Sequence, residues 1–166
     1  MAAPRQLPDT LEFMQLLWAL VHALERTSKR MAGDVGVTGP QRLVLRVVGL
    51  APKLSAGDLA AILHVHPSTL TGVLARLVAQ RLLMRIADPA DRRRAVLTLT
   101  AKGARVNAVQ HGTAEAAVSQ ALRATSRGER TAVKRVLQRL TAHLEDRAAP
   151  VDARPARRAL ARRHNR

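Results

Sequence analysis

The stretch from Ser55 to Leu82 reads SAGDLAAILHVHPSTLTGVLARLVAQRL, and its pattern decides the fold. Ser55 with Asp58 three residues on has the spacing of a helix-capping box, and Leu59, Ile62 and Leu63 supply a short apolar stripe. A break at His64-Val65-His66 follows, and Pro67, well placed in a first helical turn, opens a second helix over Pro67–Leu82. Its stripe is Leu70, Val73, Leu74, Leu77 and Val78, one face of a 3.6-residue period. The other face carries Ser68, Thr69, Thr71, Gly72, Ala75 and Arg76, small and polar with one long cation. Two short helices joined by a tight turn, the second able to approach another molecule closely, form a helix-turn-helix pattern.

The segment that follows supports that pattern. Leu82–Ala87 and Ala95–Leu99 alternate like half-buried strands, and Asp88-Pro89-Ala90-Asp91 with Arg92, Arg93 and Arg94 forms the turn between them. A basic hairpin directly after the second helix makes a winged helix-turn-helix, a DNA-binding architecture. Arg76 suits bidentate guanine readout, against the alternative of a solvated cation. Ser68, Thr69 and Thr71 suit phosphates or base edges near the helix start, and Gly72 permits close approach. Arg92 or Arg93 suits the minor groove or its flanking phosphates, with Asp91 orienting a guanidinium and Asp88 capping the turn. Lys53, Arg81, Arg94 and Lys102 are generic phosphate-contact candidates, against the alternative of solvated cations.

Outward from the hairpin the chain is helical. Asp9–Met31, with Asp9 and Glu12 at capping-box spacing, is apolar on so many sides that it needs more than one partner surface; a second subunit would supply it. Thr38, Pro40 and Gln41 open a helix with a stripe at Leu43, Val44, Val47 and Val48. Thr100 caps a long helix predicted over Ala101–Thr125, and Ser126 with Glu129 opens a last helix to about Arg147 with a stripe at Val133, Val136, Leu137, Leu140 and Leu144. The expected organisation is a helix over 9–36, a winged-helix lobe over 37–100, helices over 101–147 and an arginine-rich tail over 148–166. The tail reads either as a disordered solubilising segment or as a short helix touching DNA or a second subunit.

Composition narrows the function. In 166 residues there are 28 Lys and Arg against 12 Asp and Glu, a net charge of +16 that favours polyanions. An apolar fraction of 47% permits a core, and with one Trp and one Phe that core is aliphatic. Absence of cysteine excludes disulfides and thiolate chemistry. Met1–Pro8 lacks an apolar leader and no apolar run is long enough for a membrane span, so a cytoplasmic protein without membrane contact is expected. No nucleophile elbow, phosphate loop or paired-carboxylate motif appears, so no enzyme and no cofactor are expected. His64-x-His66 lacks further ligands nearby, so no metal site is expected, and His66 fits an N-cap before Pro67.

The motifs resemble the MarR (multiple antibiotic resistance regulator) family of winged helix-turn-helix transcription regulators. The matching pieces are Val37-Thr38-x-Pro40-Gln41, Leu59-Ala60, Ser68-Thr69-Leu70-Thr71, Leu74-x-x-Leu77 and Arg85. Asp88-Pro89-x-Asp91-Arg92-Arg93 and Leu97-Thr98-Leu99-Thr100-x-Lys102-Gly103 are the most specific. The resemblance covers about 11–144 and implies a mainly α fold with a small β-wing. It implies an obligate homodimer whose dimerisation lobe is built by the N- and C-terminal helices. It implies a regulator, usually a repressor, that binds a pseudo-palindromic operator on double-stranded DNA and in many members is released by a small aromatic or anionic effector. An effector pocket would fall near Trp18, His22, Arg42 and Arg46; ordinary interface packing or solvation is the competing reading for these four. The competing function is an architectural, sequence-neutral DNA-binding protein governed by its basic wing and tail. One departure is Arg81, which stands where the family commonly has glycine; either the turn differs or Arg81 accepts a strained positive φ.

Overall fold

The computed structural model describes residues 7–88, 91 and 94–148. Arg92, Arg93 and the tail over 149–166 lie outside the described residues. The order of elements is α1 (Asp9–Asp34), α2 (Gly39–Leu50), α3 (Ala56–Leu63), α4 (Pro67–Ala79), β1 (Leu83–Ala87), β2 (Ala95–Leu99), α5 (Ala101–Ala108), α6 (Ala114–Arg123) and α7 (Arg127–Ala148). The chain divides into two compact units, Met1–Ser119 and Gln120–Arg166.

Local chemistry starts most of these helices. Thr38 and Gln41 form a reciprocal capping box on α2, as Ser55 and Asp58 do on α3. Ser126 and Glu129 make the same exchange before α7. The expected box at the start of α1 does not form: Pro8 occupies the N-cap position without a side-chain bond, and Asp9 is already helical. There Asp9 and Glu12 still place negative charge on the first turn, where the helix dipole favours it.

The first unit packs around a core of Val37, Val44, Leu45, Val48, Leu59, Ala60, Leu70, Leu74, Leu77, Leu82, Leu83 and Leu97. This corrects the stripe expected on α2. Leu45 is fully buried, whereas Leu43 is 53% exposed, because the inward face of α2 runs through Gln41, Arg42, Leu45 and Val48. Ile62 and Val78 likewise lie at the edges of their stripes and remain largely exposed. β1 and β2 pair antiparallel from Leu83↔Leu99 to Ala87↔Ala95. A third backbone contact not legible in the sequence, a bridge from Leu54 to Leu97, ties the α2–α3 connection to the hairpin.

The long helix predicted over Ala101–Thr125 is two helices. Gly112 takes φ +70, a left-handed conformation, and Thr113 restarts the chain by accepting from Ala116 N–H at 3.3 Å. The break is completed from α2. Arg42, only 2% exposed, donates to the carbonyls of Val106 and Val109, which a continuous helix would bond to its own amides.

In the second unit α7 is exposed along nearly its whole length, and its apolar stripe is uncovered: Val133 is 56% and Leu144 69% exposed. The same holds for much of α1, where Leu16 is 63% and Trp18 64% exposed.

Candidate nucleic-acid interface

The helix-turn-helix is set by the way its two helices end and begin. Val65 N–H donates to Ala60 O and His64 N–H to Ala61 O, the paired bonds of a Schellman motif that ends α3. His64 sits in the left-handed region at φ 51 to make that turn. His66 then caps α4: its Nδ1 accepts from Ser68 N–H at 3.3 Å and lies 2.7 Å from Ser68 Oγ. The two histidines of His64-x-His66 thus each have a task in the turn. Leu70, Leu74 and Leu77 bury α4 against the core and thereby fix which face points away.

On that outward face Ser68, Thr69, Thr71, Gly72, Ala75 and Arg76 are all exposed. Thr71 Oγ1 folds back to donate to Pro67 O at 2.8 Å. Nothing lies within 4 Å of the position that a Cβ on Gly72 would take, so its missing side chain serves no contact inside the fold. Among the described residues Arg76 is the only long cation on this face, and it is exposed.

The wing is anchored at both ends, to α3 and to the end of α4. Beside its turn, Arg94 forms an ion pair with Asp58, the capping-box partner of Ser55 on α3. Ser55 Oγ and N–H donate to the same Asp58 oxygen at 2.8 and 3.0 Å. Hydrogen bonds from the Ser55 side chain and backbone, followed by the charge of Arg94, outweigh desolvation and hold the Asp58 carboxyl below its ordinary range. Arg94, expected among the DNA contacts, is therefore engaged as a brace between wing and α3. Asp91, expected to orient a guanidinium, contributes its carbonyl, which accepts Arg94 N–H at 2.9 Å, while Asp88 N–H donates to Arg94 O at 2.8 Å.

At the other end the segment Thr100-x-Lys102-Gly103 grips the C-terminus of α4. Leu82 N–H donates to Leu77 O and Arg81 N–H to Val78 O, a second Schellman motif, with Arg81 at φ 57. Of the two readings left open for Arg81, the ordinary left-handed turn with the strain accepted is the one found. Lys102 Nζ donates to Gln80 O at 3.1 Å. A Cβ on Gly103 would stand 1.9 Å from Leu82 O, so only glycine permits this approach.

The four residues expected at an effector pocket fall into two groups. Arg42 Nε meets Glu115 at 2.5 Å, and with its two carbonyl partners this buried guanidinium is a structural brace. Arg46 donates to Asn107 O at 3.3 Å and stands 4.0 Å from Glu115. Trp18 and His22 stack edge-on at 6.1 Å, and His22 lies 3.5 Å from Glu25. Among the described residues, none of these contacts joins the two groups.

A helix-turn-helix with an exposed small-residue face, closed by an anchored two-stranded wing, defines a winged helix-turn-helix protein. Residues 35–94 match the MarR family model. Over that segment the chain is similar to the MarR family. No curated protein matches it. The S. aureus MepR–DNA complex is similar at TM-score 0.65 and 19% identity, over 80% of this chain and 97% of that one. PcaV from Streptomyces coelicolor with its natural ligand gives 0.64 and 25%, over 86% and 98%. Streptococcus pneumoniae FabT in complex with DNA gives 0.61 and 22%, over 83% and 99%.

Proposed function

We propose that the protein is a sequence-specific DNA-binding regulator that represses transcription from a pseudo-palindromic operator as a homodimer. The observation that carries this reading is the outward face of α4, where Arg76 stands alone among Ser68, Thr69, Thr71, Gly72 and Ala75. Such a face enters a major groove without steric conflict, and Arg76 is long enough to reach guanine O6 and N7. Arg92 and Arg93 at the wing tip add minor-groove or phosphate contacts. The MepR and FabT complexes, both with DNA, support the choice of ligand.

The uncovered apolar faces of α1 and α7 support dimerisation, since a chain rarely leaves Leu16, Trp18 and Leu144 in water without a partner. Two copies related by a twofold axis would present their α4 helices one turn of DNA apart, roughly 34–36 Å. PcaV, solved with its natural ligand, supports the presence of an effector, whose binding would release the DNA. With Arg42 committed to Glu115, Arg46 is the cation left to meet an anionic effector.

The test is selection of genomic DNA by the purified protein, followed by affinities for the selected palindrome and a random duplex at one physiological salt concentration. A specific-to-random ratio of about 10³ or more is expected for a regulator. A ratio near one gives the chain to the architectural reading instead. Arg76→Ala is expected to lower the ratio by relaxing one base position, at a cost of about 1–3 kcal/mol.

A further inference from the structure

We infer that α7 carries a second nucleic-acid surface, separate from α4 and the wing, that takes the phosphate backbone of a duplex. At 100° per residue, Arg127, Lys134, Arg135 and Arg139 fall on the side of α7 away from the apolar stripe centred on Leu140, and Arg130 flanks them. All five are exposed. None has a carboxylate three or four residues away, and among the described residues none forms an ion pair. Glu129 is turned to the helix start by its bonds with Ser126, and acids return only at Glu145 and Asp146.

The spacing is costly for an isolated helix. Arg130 and Lys134 are four apart, as are Arg135 and Arg139, so like charges meet where a stable surface helix places opposite ones. A polyanion reverses that cost. From Arg127 to Arg139 the helix rises roughly 18 Å. Over that length one strand of a duplex presents about five phosphates. A membrane is the poorer fit: α7 has no Trp or Phe to anchor it in a bilayer interface, and its aliphatic stripe is the surface assigned above to subunit pairing. This inference adds to the reading of α4 and stands without it.

The experiment uses the full chain and a 30-base-pair random duplex, with affinity followed against salt. The variant is Arg127→Gln, Lys134→Gln, Arg135→Gln and Arg139→Gln together. Each phosphate contact contributes about 0.9 to the slope of log K against log salt, so the slope is expected to shrink by about 3 to 4. Glutamine is a good helix former, and far-UV circular dichroism is expected to be unchanged with an equal or higher melting temperature. A change in slope below 1 in a folded variant overturns the inference. So does loss of binding to anionic phospholipid vesicles while the DNA slope stays fixed, an outcome that assigns the face to membrane. Failure of the α4 reading registers separately: Arg76→Ala would leave the operator preference intact, and the α7 variant would still flatten the salt dependence in that background.

Discussion

Thr100 Oγ1 donates to the carbonyl of Arg81 at 2.6 Å, so the residue that caps α5 also holds the strained residue that ends α4. Arg81 has the geometry of a glycine without being one, at φ 57. Its neighbours determine that conformation: Lys102 takes Gln80 O, Thr100 takes Arg81 O, and Leu82 returns to the core beside Leu77. A left-handed L-residue costs about 1 kcal/mol. Arg81→Gly is therefore expected to raise stability by up to about 1 kcal/mol, partly offset by glycine's freedom in the unfolded chain. For a chain of this size the melting temperature would rise by about 2–4 °C. Arg81→Ala, which keeps the Cβ, is expected to gain nothing. Thermal denaturation of the two variants side by side measures the strain directly.

The capping boxes of α2, α3 and α7, the two helices of the helix-turn-helix and the two strands of the hairpin could be read from residues because each depends on neighbours three or four positions away, or on alternation. Thr38 with Gln41 and Ser55 with Asp58 are such local signals. The outward face of α4 was legible for the same reason. What the sequence did not disclose depends on distant partners. Arg42 read as a pocket or solvated cation because its partners, Val106, Val109 and Glu115, lie more than sixty residues away. The split of Ala101–Thr125 was hidden with it, although Gly112-Thr113 carried a break-and-cap signal that alanine-rich flanks obscured. The pairing of Arg94 with Asp58 left no local trace because it spans 36 positions.

Asp58 gives the fold a pH dependence with a definite sign. Its carboxyl titrates below the ordinary range because the Ser55 hydroxyl and amide, and then Arg94, favour the charged form. A group whose pKa is lower in the folded state contributes stability above its unfolded pKa and loses it as pH falls through the folded one. The contribution of the Asp58 site should thus be intact at neutral pH and decline as pH falls below about 4, the ordinary carboxylate value. Asp58→Asn is expected to be less stable than the parent at pH 7, by a margin that narrows at pH 3. Denaturant midpoints at the two values check this. A deficit that persisted undiminished at pH 3 would show that shape, not charge, makes the contribution.

Arg42 offers a larger effect. Its removal strands the carbonyls of Val106 and Val109 and leaves Glu115 without its closest cation. Breaking a buried pair by deleting one partner costs about 3–5 kcal/mol. Because Glu115 remains partly exposed and Arg46 stands near it, the lower end of that range, about 3 kcal/mol, is expected for Arg42→Gln. Glu115→Gln keeps an acceptor for Arg42 and should cost less than half as much. Urea unfolding of both variants orders them, and the reverse order would place the weight of the brace on Glu115.

The two glycines nearest the interface should respond in opposite ways. Gly103 is excluded from substitution by packing, since its Cβ would meet Leu82 O at 1.9 Å. Backbone cannot yield as a flexible side chain can, so Gly103→Ala forces α5 away from the end of α4. It is expected to cost about 3 kcal/mol or more, at the severe end for a single substitution. Gly72 has open space around it and lies inside a helix, where Gly to Ala gains about 1 kcal/mol. Gly72→Ala is therefore expected to raise the melting temperature. If α4 enters the major groove through this face, the added methyl stands between helix and bases, and operator affinity should fall at least ten-fold. Melting temperature and operator affinity of this one variant are thus expected to move in opposite directions. A gain in stability with affinity unchanged would show that Gly72 is not on the surface that meets DNA.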